Sequence, residues 1–248
     1  MIETRQQHAW KARAERERAL LKAYSFKWYK DGDSWLLFAP GGEETTKQVA
    51  LQEIRELQKS KPWHEVVRWA RDLKNAVFLD SETTGFGKED VIIDIAVTDK
   101  DGKVLVNTLV HTERETIPKA AQDVHHIDKA MLCNAPMWTD IWPDLADIFL
   151  QHPVIIYNAD YDMRMIRQMV ERYGLQMPAV TSHCLMKKYS EYCGCSRYLK
   201  LDAACLHFDV RRKNSHRALA DAQDSRHVLC GLANVGSIDG HVQESFGW

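Results

Sequence analysis

The sequence lacks the features of membrane and exported proteins. No run approaches the roughly 18 apolar residues that a membrane-spanning helix needs. The first residues, Met1–Gln6, carry charges where a signal peptide has an apolar stretch. We therefore expect a cytoplasmic protein with no membrane partner. No internal repeat or low-complexity tract is found either.

Cysteine is present but lacks the pattern of a disulfide or zinc framework. Six cysteines without a secretion signal are expected to be free thiols. The Cys and His residues between 183 and 207 fit no standard pair of zinc ligands, so no zinc site is expected. The net charge of −2 excludes no partner, because local patches rather than total charge hold a polyanion.

Charge is distributed unevenly along the chain. Residues 1–61 carry 12 Lys and Arg against 9 Asp and Glu, a net charge of +3, whereas residues 62–248 carry a net charge of −5. With the break at Lys59–Pro62, this predicts a small module over 1–61, a main domain over 62–235 and a flexible tail over 236–248.

The first module is predicted to be α+β. A charged helix over 4–23 precedes a hairpin that turns at Asp31-Gly32, and a helix over 46–58 follows. The hairpin aromatics interleave with lysines. Packing is the favoured interpretation, and stacking on single-stranded bases or docking on a partner are the alternatives.

The most informative motif is a pair of carboxylates that follows an apolar segment. Residues 76–79 predict a buried strand that leads into Asp80 and Glu82. Side chains two residues apart on a strand point to one side, so both carboxylates share a face. A buried acidic pair is costly unless a cation holds it, and a divalent metal is the usual partner. When this motif is considered alone, the alternative to a metal site is a strand end whose two acidic side chains are exposed to water.

Further acidic residues follow two later segments. The apolar run 153–157 predicts a strand, after which Asn158 suits a helix N-cap and Asp162 lies near the first helical turn. Near the end, His216 precedes a helical pattern that contains Asp221. Five helical residues rotate by about 140°, so we expect His216 on the loop and Asp221 one turn inside the helix.

Basic residues surround His216. Arg211–Lys213 and Arg217 flank it, and Lys187, Lys188, Arg197 and Lys200 lie upstream. Cationic loops beside a carboxylate cluster would offset its repulsion of phosphate. A solvated basic loop is the alternative.

Together, these motifs resemble the DnaQ-like 3′–5′ exonucleases of the DEDDh branch, which includes the epsilon proofreading subunit of bacterial DNA polymerase III. The matching segments are residues 80–85, 124–128, 158–162 and 216–221, and the resemblance runs from about 76 to about 233. His126 stands where the family has glycine, which we expect to alter the packing of the nucleotide-side loop. The family's aspartate follows the aromatic residue, so Asp162 is preferred and Asp160 is the alternative.

The resemblance and the residue types imply a two-metal site. The expected catalytic residues are Asp80, Glu82, Asp162, His216 and Asp221. The four carboxylates are hard oxygen ligands suited to two Mg²⁺ or Mn²⁺ ions, which clamp the attacking and leaving oxygens of a phosphodiester. Histidine ordinarily titrates near pH 6.5, so His216 is the expected general base on the attacking water. The implied substrate contacts are Ser81, Thr83, His125, Asn158 and Arg217.

The expected activity is metal-dependent release of nucleoside 5′-monophosphates from DNA 3′ ends, single-stranded or frayed, in proofreading or repair. Glu82-Thr83-Thr84 resembles the DNA-directed members. The alternatives are a DEDDh exoribonuclease and a catalytically silent nucleic-acid-binding or polymerase-docking protein. The end of the chain, 243–248, resembles peptides that dock on sliding clamps, although a disordered end is the favoured interpretation, so a clamp or polymerase is a candidate partner.

The pattern of elements predicts an α/β fold. Three strands joined by hairpins (76–80, 91–98 and 103–110) precede alternating helices and strands. This order favours a mixed sheet with helices on its faces. The resemblance implies the ribonuclease H-like version, with five strands flanked by helices.

Overall fold

The computed structural model describes residues 13–18, 20–22, 24, 26–32, 34–39, 43–60, 63–212 and 216–235. The chain forms two compact units. The first contains the described residues up to Arg71, together with 187–211 and those from Gly231 onward, and the second contains Asp72–Met186 and Arg212–Cys230. The division into 1–61 and 62–235 stays a prediction about domains, and the predicted tail, 236–248, lies outside the described residues.

The first unit begins with helical residues 13–18 and 20–22. Strands β1 (Lys27–Asp31), β2 (Ser34–Phe38) and β3 (Glu44–Thr45) form an antiparallel sheet in that order, before helix α1 (Lys47–Ser60). The predicted hairpin is present, with Asp31 opposite Ser34 and Gly32 at φ +56° in the turn. Strand β3 was not predicted from the sequence, because its two residues are too few to show a periodic pattern. Residues 4–12 of the predicted first helix lie outside the described residues.

The remaining elements follow the predicted order. After helix α2 (Trp63–Asp72), the strands are β4 (Val77–Thr83), β5 (Ile92–Asp99), β6 (Val104–Leu109), β7 (Val154–Ile156) and β8 (Ser182–Cys184). The helices are α3 (Lys119–His125), α4 (Trp138–Gln151), α5 (Ala159–Arg172), α6 (Leu185–Tyr192), α7 (Leu201–His207) and α8 (Ala218–Asn234), with one 3-10 turn (Ala130–Leu132).

The five-stranded sheet of the second unit has the order β6-β5-β4-β7-β8. Strands β4, β5 and β6 are antiparallel neighbours, whereas β7 lies parallel to both β4 and β8. The mixed sheet that the sequence predicted is therefore confirmed. Because β4 is central, its last residues lie between strands on both sides, and Glu82 is directly opposite Asp94 of β5.

Apolar side chains hold the sheet between its helices. Strands β4 and β5 bury most of their residues, as expected of central strands that are covered on both faces. Against the sheet pack Trp138 and Phe149 of α4 and Met165 and Met169 of α5, all of them fully buried or nearly so. This core fixes the position of β4, which carries the acidic pair. In the described part of the chain, no helix is both long enough and apolar enough to cross a membrane.

Candidate active site

Three carboxylates meet at the end of β4. Asp80 and Glu82 lie two residues apart on this strand, and Asp221 lies in the first turn of α8. One carboxylate oxygen from each residue lies within 4.8 Å of the others. Within the described ranges, no other group of three Asp, Glu, His or Cys side chains comes this close together. The sequence predicted the carboxylates to converge, and these three do.

The cluster is electrostatically unfavourable without a cation. Burial raises the pKa of Asp80 well above its ordinary value, and the nearby charges of Asp162, Glu82, Asp221 and Asp94 raise it further. Burial and the same acidic neighbours raise the pKa of Glu82 to about 8. Both shifts have the same physical cause, because a further negative charge in this space is costly. A bound divalent cation would remove that cost, so the residues fit a metal.

Asp162 lies beside this group without belonging to the 4.8 Å set. It is buried in the first turn of α5, and its Oδ1 accepts a hydrogen bond of 2.7 Å from Ser81 Oγ. Burial raises the pKa of Asp162 to about 7, although the Ser81 hydrogen bonds lower it. Its charge is the largest single charge effect on Asp80. Asp160, the alternative, is exposed.

Asp94 joins the strand to the His216 loop. Its Oδ2 accepts hydrogen bonds from Arg217 Nε at 2.8 Å and from the Ala218 backbone N–H at 3.3 Å. The side chain of Asp94 is buried, so the Arg217 charge compensates a carboxylate that water does not reach. Asp94 thereby caps the first residue of α8 and fixes where this helix begins.

Arg212 contacts two carboxylates of α8 at once. Its Nε donates to Asp224 Oδ2 at 2.9 Å, and its Nη2 donates to Asp221 Oδ1. The three side chains are close to fully buried. A planar guanidinium that bridges two carboxylates limits the rotamers of both. Asp221 is therefore oriented by Arg212, which lies outside the cluster of three carboxylates.

His216 lies where the sequence predicted it, on the loop before α8 and two residues before the helix begins. It is exposed and adopts φ +63°, a backbone conformation uncommon for a residue with a side chain. The next residue, Arg217, is the last loop residue before the helix, and its hydrogen bond to Asp94 anchors this end of the loop. This placement is compatible with a base that must exchange protons with water.

His125 and His126 end helix α3. His125 is buried, and its Nδ1 accepts the Ile127 backbone N–H at 3.0 Å. Burial lowers the pKa of His125, although the backbone carbonyl of Thr83 favours its protonated form. Its Nε2 is buried and has no hydrogen bond of ordinary geometry to a described residue. His126 closes the helix at φ +59°, and its N–H donates to Gln122 O. This is the conformation that glycine adopts at least cost, which gives a physical reason for glycine at the corresponding family position.

The other predicted substrate contacts differ in exposure. The hydroxyls of Ser81 and Thr83 are buried and bonded within the protein, Ser81 to Asp162 and Thr83 to Tyr161 and to Gly85 O. Asn158 occupies the N-cap of α5 with an exposed side chain that makes no capping hydrogen bond. Arg217 is partly exposed and uses its Nε for Asp94. The substrate contacts of all four stay predictions.

The loop after β4 presents an aromatic side chain that sequence reasoning missed. Phe86 is 83 % exposed and lies 5.5 Å from the Tyr161 ring, measured between centroids. Behind it, a Cβ at Gly85 would lie 2.7 Å from Asp90 Oδ2, so only glycine fits there. The Asp90 carboxylate in turn accepts hydrogen bonds from Arg114 and from the Thr84 hydroxyl, and these bonds stabilise the conformation of the loop.

Two further residues were missed because their partners are distant in sequence. Asp94 is an acid within an otherwise apolar strand, and that signal was available in Val91–Val97. Arg212 was assigned only to a basic loop. Nothing in the spacing of Arg212 and Asp221 showed that the guanidinium would turn inward.

Comparisons with known proteins agree with this geometry. Residues 77–229 match the family model described as Exonuclease, of the RNase T type. An uncharacterized exonuclease of Escherichia phage 186 is 35 % identical over 183 residues, which cover 68 % of this chain and 93 % of that protein. The DNA polymerase III subunit epsilon of Treponema pallidum (strain Nichols) is 26 % identical over 151 residues, covering 58 % of this chain and 69 % of the relative.

Solved structures share the fold. The nuclease domain of 3′hExo, a DEDDh family member bound to rAMP, superposes with a TM-score of 0.57 at 12 % identity, over 66 % of this chain and 94 % of that one. Exonuclease X in complex with 5′ overhanging duplex DNA gives a TM-score of 0.50 at 22 % identity, over 70 % and 99 %. The ribonuclease H-like fold and the family resemblance are both confirmed.

Proposed function

The chain belongs to the DnaQ-like exonuclease family, and from this we propose that it removes nucleotides from the 3′ end of single-stranded or frayed DNA as nucleoside 5′-monophosphates. The observation that carries the proposal is the meeting of Asp80, Glu82 and Asp221, whose oxygens lie within 4.8 Å of one another. Carboxylates this close, of which Asp221 is buried and the other two are partly buried, are costly in a protein that has no use for a cation.

Asp80, Glu82 and Asp221 would hold the divalent cations, with Asp162 beside them. Oxygen donors alone favour Mg²⁺ or Mn²⁺ over softer metals. When bound, such cations supply charge neutralisation at the phosphate and a more acidic water. We propose two ions per site, in agreement with the family resemblance.

The chain's own residues then have separate tasks. Water attacks phosphorus, a P–O bond to water forms, and the bond from phosphorus to the 3′ oxygen of the preceding nucleotide breaks. His216 takes the proton that the water loses, and its exposure lets it pass that proton to solvent. The departing 3′ oxygen takes up a proton from solvent. Arg212 and Asp94 act as positioning residues for Asp221 and for the His216 loop.

DNA is the proposed substrate for two reasons. Among the relatives, an epsilon subunit of a DNA polymerase matches over most of its length, and Exonuclease X shares the fold in a complex with DNA. The segment Glu82-Thr83-Thr84 also resembles the DNA-directed members. The 3′hExo structure contains rAMP, so RNA is the competing substrate in the test.

The test is digestion of oligonucleotides that carry a label at either end. With Mg²⁺ or Mn²⁺, a 5′-labelled DNA strand should shorten progressively, whereas a 3′ label should leave at once as a mononucleotide. Asp80→Asn should abolish both signals, and Asp144→Asn, at an exposed position on α4, should change neither. Faster digestion of matched RNA would indicate an exoribonuclease, and no digestion with either metal would indicate a silent binding protein.

A polymerase or a sliding clamp is the proposed protein partner. The motif that suggests a clamp, 243–248, lies outside the described residues. A chain that lacks 243–248 should lose clamp binding in a pull-down with purified clamp while it keeps exonuclease activity. Absence of clamp binding by the intact chain would remove this partner.

A further inference from the structure

The first unit contains a groove that combines cationic and aromatic side chains. Its volume is about 430 Å³, and its lining residues are Arg18, Lys22, Phe26, Lys27, Trp28 and Tyr29. No acidic residue is among the lining residues that the structure describes. Phe26 is buried, and the other five are exposed. The lining residues come from the helical segments 13–18 and 20–22, from Phe26 and from strand β1, all within one compact unit.

The positive charges of this groove have no acidic ion-pair partner among the described residues. In the same unit, Arg13 and Lys47 both pair with Glu17. By contrast, Arg18, Lys22 and Lys27 form no ion pair with any residue in the part of the chain that the structure describes. Three uncompensated cations in one groove attract a polyanion.

Two of the three aromatic side chains that line the groove, Trp28 and Tyr29, are only partly buried, whereas Phe26 belongs to the hydrophobic core of the unit. That core uses Leu20, Leu21, Leu37, Ala50 and Ile54. Trp28 is 38 % exposed and Tyr29 is 53 % exposed, so a part of each ring is accessible to a ligand, and packing, the interpretation that the sequence favoured, stays a prediction for these two residues. An edge contact between Tyr29 and Phe38, with centroids 5.3 Å apart, limits how the Tyr29 ring can rotate. Preorganised exposed rings are suited to stacking.

We propose that this groove is a second nucleic-acid site, which binds a single strand. Trp28 and Tyr29 are neighbours on the edge strand β1, so their rings project to opposite faces of that strand, and we expect each ring to stack on a different base where the single strand passes along the edge. Arg18, Lys22 and Lys27 contact phosphates. A single strand presents a flat base and a phosphate at every nucleotide, and this alternation matches aromatic and cationic side chains in one groove. The choice of nucleic acid as the polyanion rests on the proposed function, but the binding itself does not require hydrolysis.

Fluorescence anisotropy with the full chain and a labelled single-stranded DNA, in EDTA, tests the aromatic contacts. Stacking on an aromatic side chain contributes enough that each of Trp28→Ala and Tyr29→Ala should weaken binding about tenfold. Tyr198→Ala is the matched control, because Tyr198 is exposed in the same unit but does not line the groove, and it should leave the affinity unchanged.

The salt dependence of the same affinity tests the cations. Each of Lys22→Gln and Lys27→Gln should reduce the slope of log affinity against log salt by about 0.7, as expected when one contact to a single strand is lost. Lys103→Gln, at an exposed position in the second unit, should leave the slope unchanged.

Three results would overturn this proposal. They are unchanged affinity in both aromatic variants, equal binding of duplex DNA of the same length, and displacement of the strand by polyglutamate as effectively as by unlabelled DNA. The last result would indicate an acidic protein as the ligand. Hydrolysis of a chromogenic mononucleotide ester is measured in parallel, because it depends on the acidic cluster and not on the groove. If the unsubstituted chain does not hydrolyse this ester, the result contradicts the proposed exonuclease function but not the proposed binding of a single strand in the groove.

Discussion

Arg212 holds two carboxylates of α8 with one guanidinium, and Asp221 is one of them. The interaction between Arg212 and Asp221 is important because the Asp221 carboxylate must point toward Asp80 and Glu82. Side chains that do not bind a metal themselves but hydrogen-bond to its ligands typically contribute a factor of about 10–100 to activity or metal affinity.

We therefore expect Arg212→Lys to lower activity and the apparent Mn²⁺ affinity by about 10- to 100-fold. An ammonium keeps the charge but cannot bridge Asp221 and Asp224 through two nitrogens in one plane. Arg211→Lys is the matched control, since Arg211 is exposed and adjacent in sequence. Mn²⁺ titrations measure both quantities: hydrolysis reports the activity, and calorimetry reports the Mn²⁺ affinity. If Arg212→Lys and Arg211→Lys have the same activity and the same Mn²⁺ affinity, Arg212 is not a positioning residue.

His216 gives a second prediction at the residue level. His216→Ala should lower kcat by about 10²- to 10⁴-fold, because the attacking water loses the group that takes its proton. Binding of single-stranded DNA should persist, since the carboxylates and cationic side chains are unchanged. His227→Ala, an exposed change on α8, serves as the control. A His216→Ala enzyme with near-parental kcat in single-turnover digestion would contradict the assignment.

The acidic cluster predicts how stability depends on pH without metal. The pKa of Glu82 is about 8 in the folded chain against an ordinary value of 4.5, so the folded state holds the proton more tightly than the unfolded state. The free energy of unfolding should therefore fall as pH rises from about 4.5 to about 8, where the charged form becomes obligatory. In EDTA, urea unfolding should give a lower midpoint at about pH 8.5 than at about pH 6.

Glu82→Gln removes one of the repelling charges and should flatten that profile. At the higher pH we expect the metal-free variant to be more stable than the parent by at least about 1 kcal/mol, which corresponds to less than one pKa unit. Glu171→Gln, an exposed change on α5, should follow the parent curve. A parent chain whose stability rises over this pH range would show that the carboxylates are already compensated.

At the scale of elements, helix α3 ends in a way that costs stability. His126 adopts φ +59° at the C-cap, although a residue with a Cβ is disfavoured there by roughly 1 kcal/mol. The sequence showed only that His126 replaces a glycine, and the left-handed conformation supplies the physical reason for the family preference.

His126→Gly should therefore raise the free energy of unfolding by about 0.5–1 kcal/mol, because glycine adopts the left-handed conformation without steric cost. His126→Ala should give no such gain, since alanine keeps the Cβ. Urea titrations of both variants measure the difference, and equal stability of the glycine and alanine variants would contradict this account of the helix end.

For elements, success of sequence prediction depended on periodicity. Strand β4 was predicted because its apolar run and its acidic pair are continuous in sequence, and α8 because its pattern is long. Strand β3 has two residues and offers no period to detect. The link from Asp94 to Arg217 spans 123 residues and depends on the register of β4 with β5, which no local pattern encodes.

At the scale of the molecule, the charge asymmetry has a structural counterpart in each unit. The second unit contains the acidic cluster, and the first contains the groove, whose cations have no ion-pair partner among the described residues. The sequence predicted two regions of opposite net charge, but it could not separate stacking from packing for the hairpin aromatics. Trp28 and Tyr29 are partly exposed, and that exposure depends on tertiary packing that no local pattern encodes.

The central claim is that Asp80, Glu82 and Asp221 form one site for divalent cations. Calorimetric titration of the full chain with Mn²⁺ at about pH 8, close to the pKa of Glu82, tests it most directly. We expect saturable binding that releases protons, and loss of that binding in Asp80→Asn, which keeps the shape of the side chain but not its charge. Mn²⁺ binding of equal affinity by the parent and by Asp80→Asn would contradict the claim.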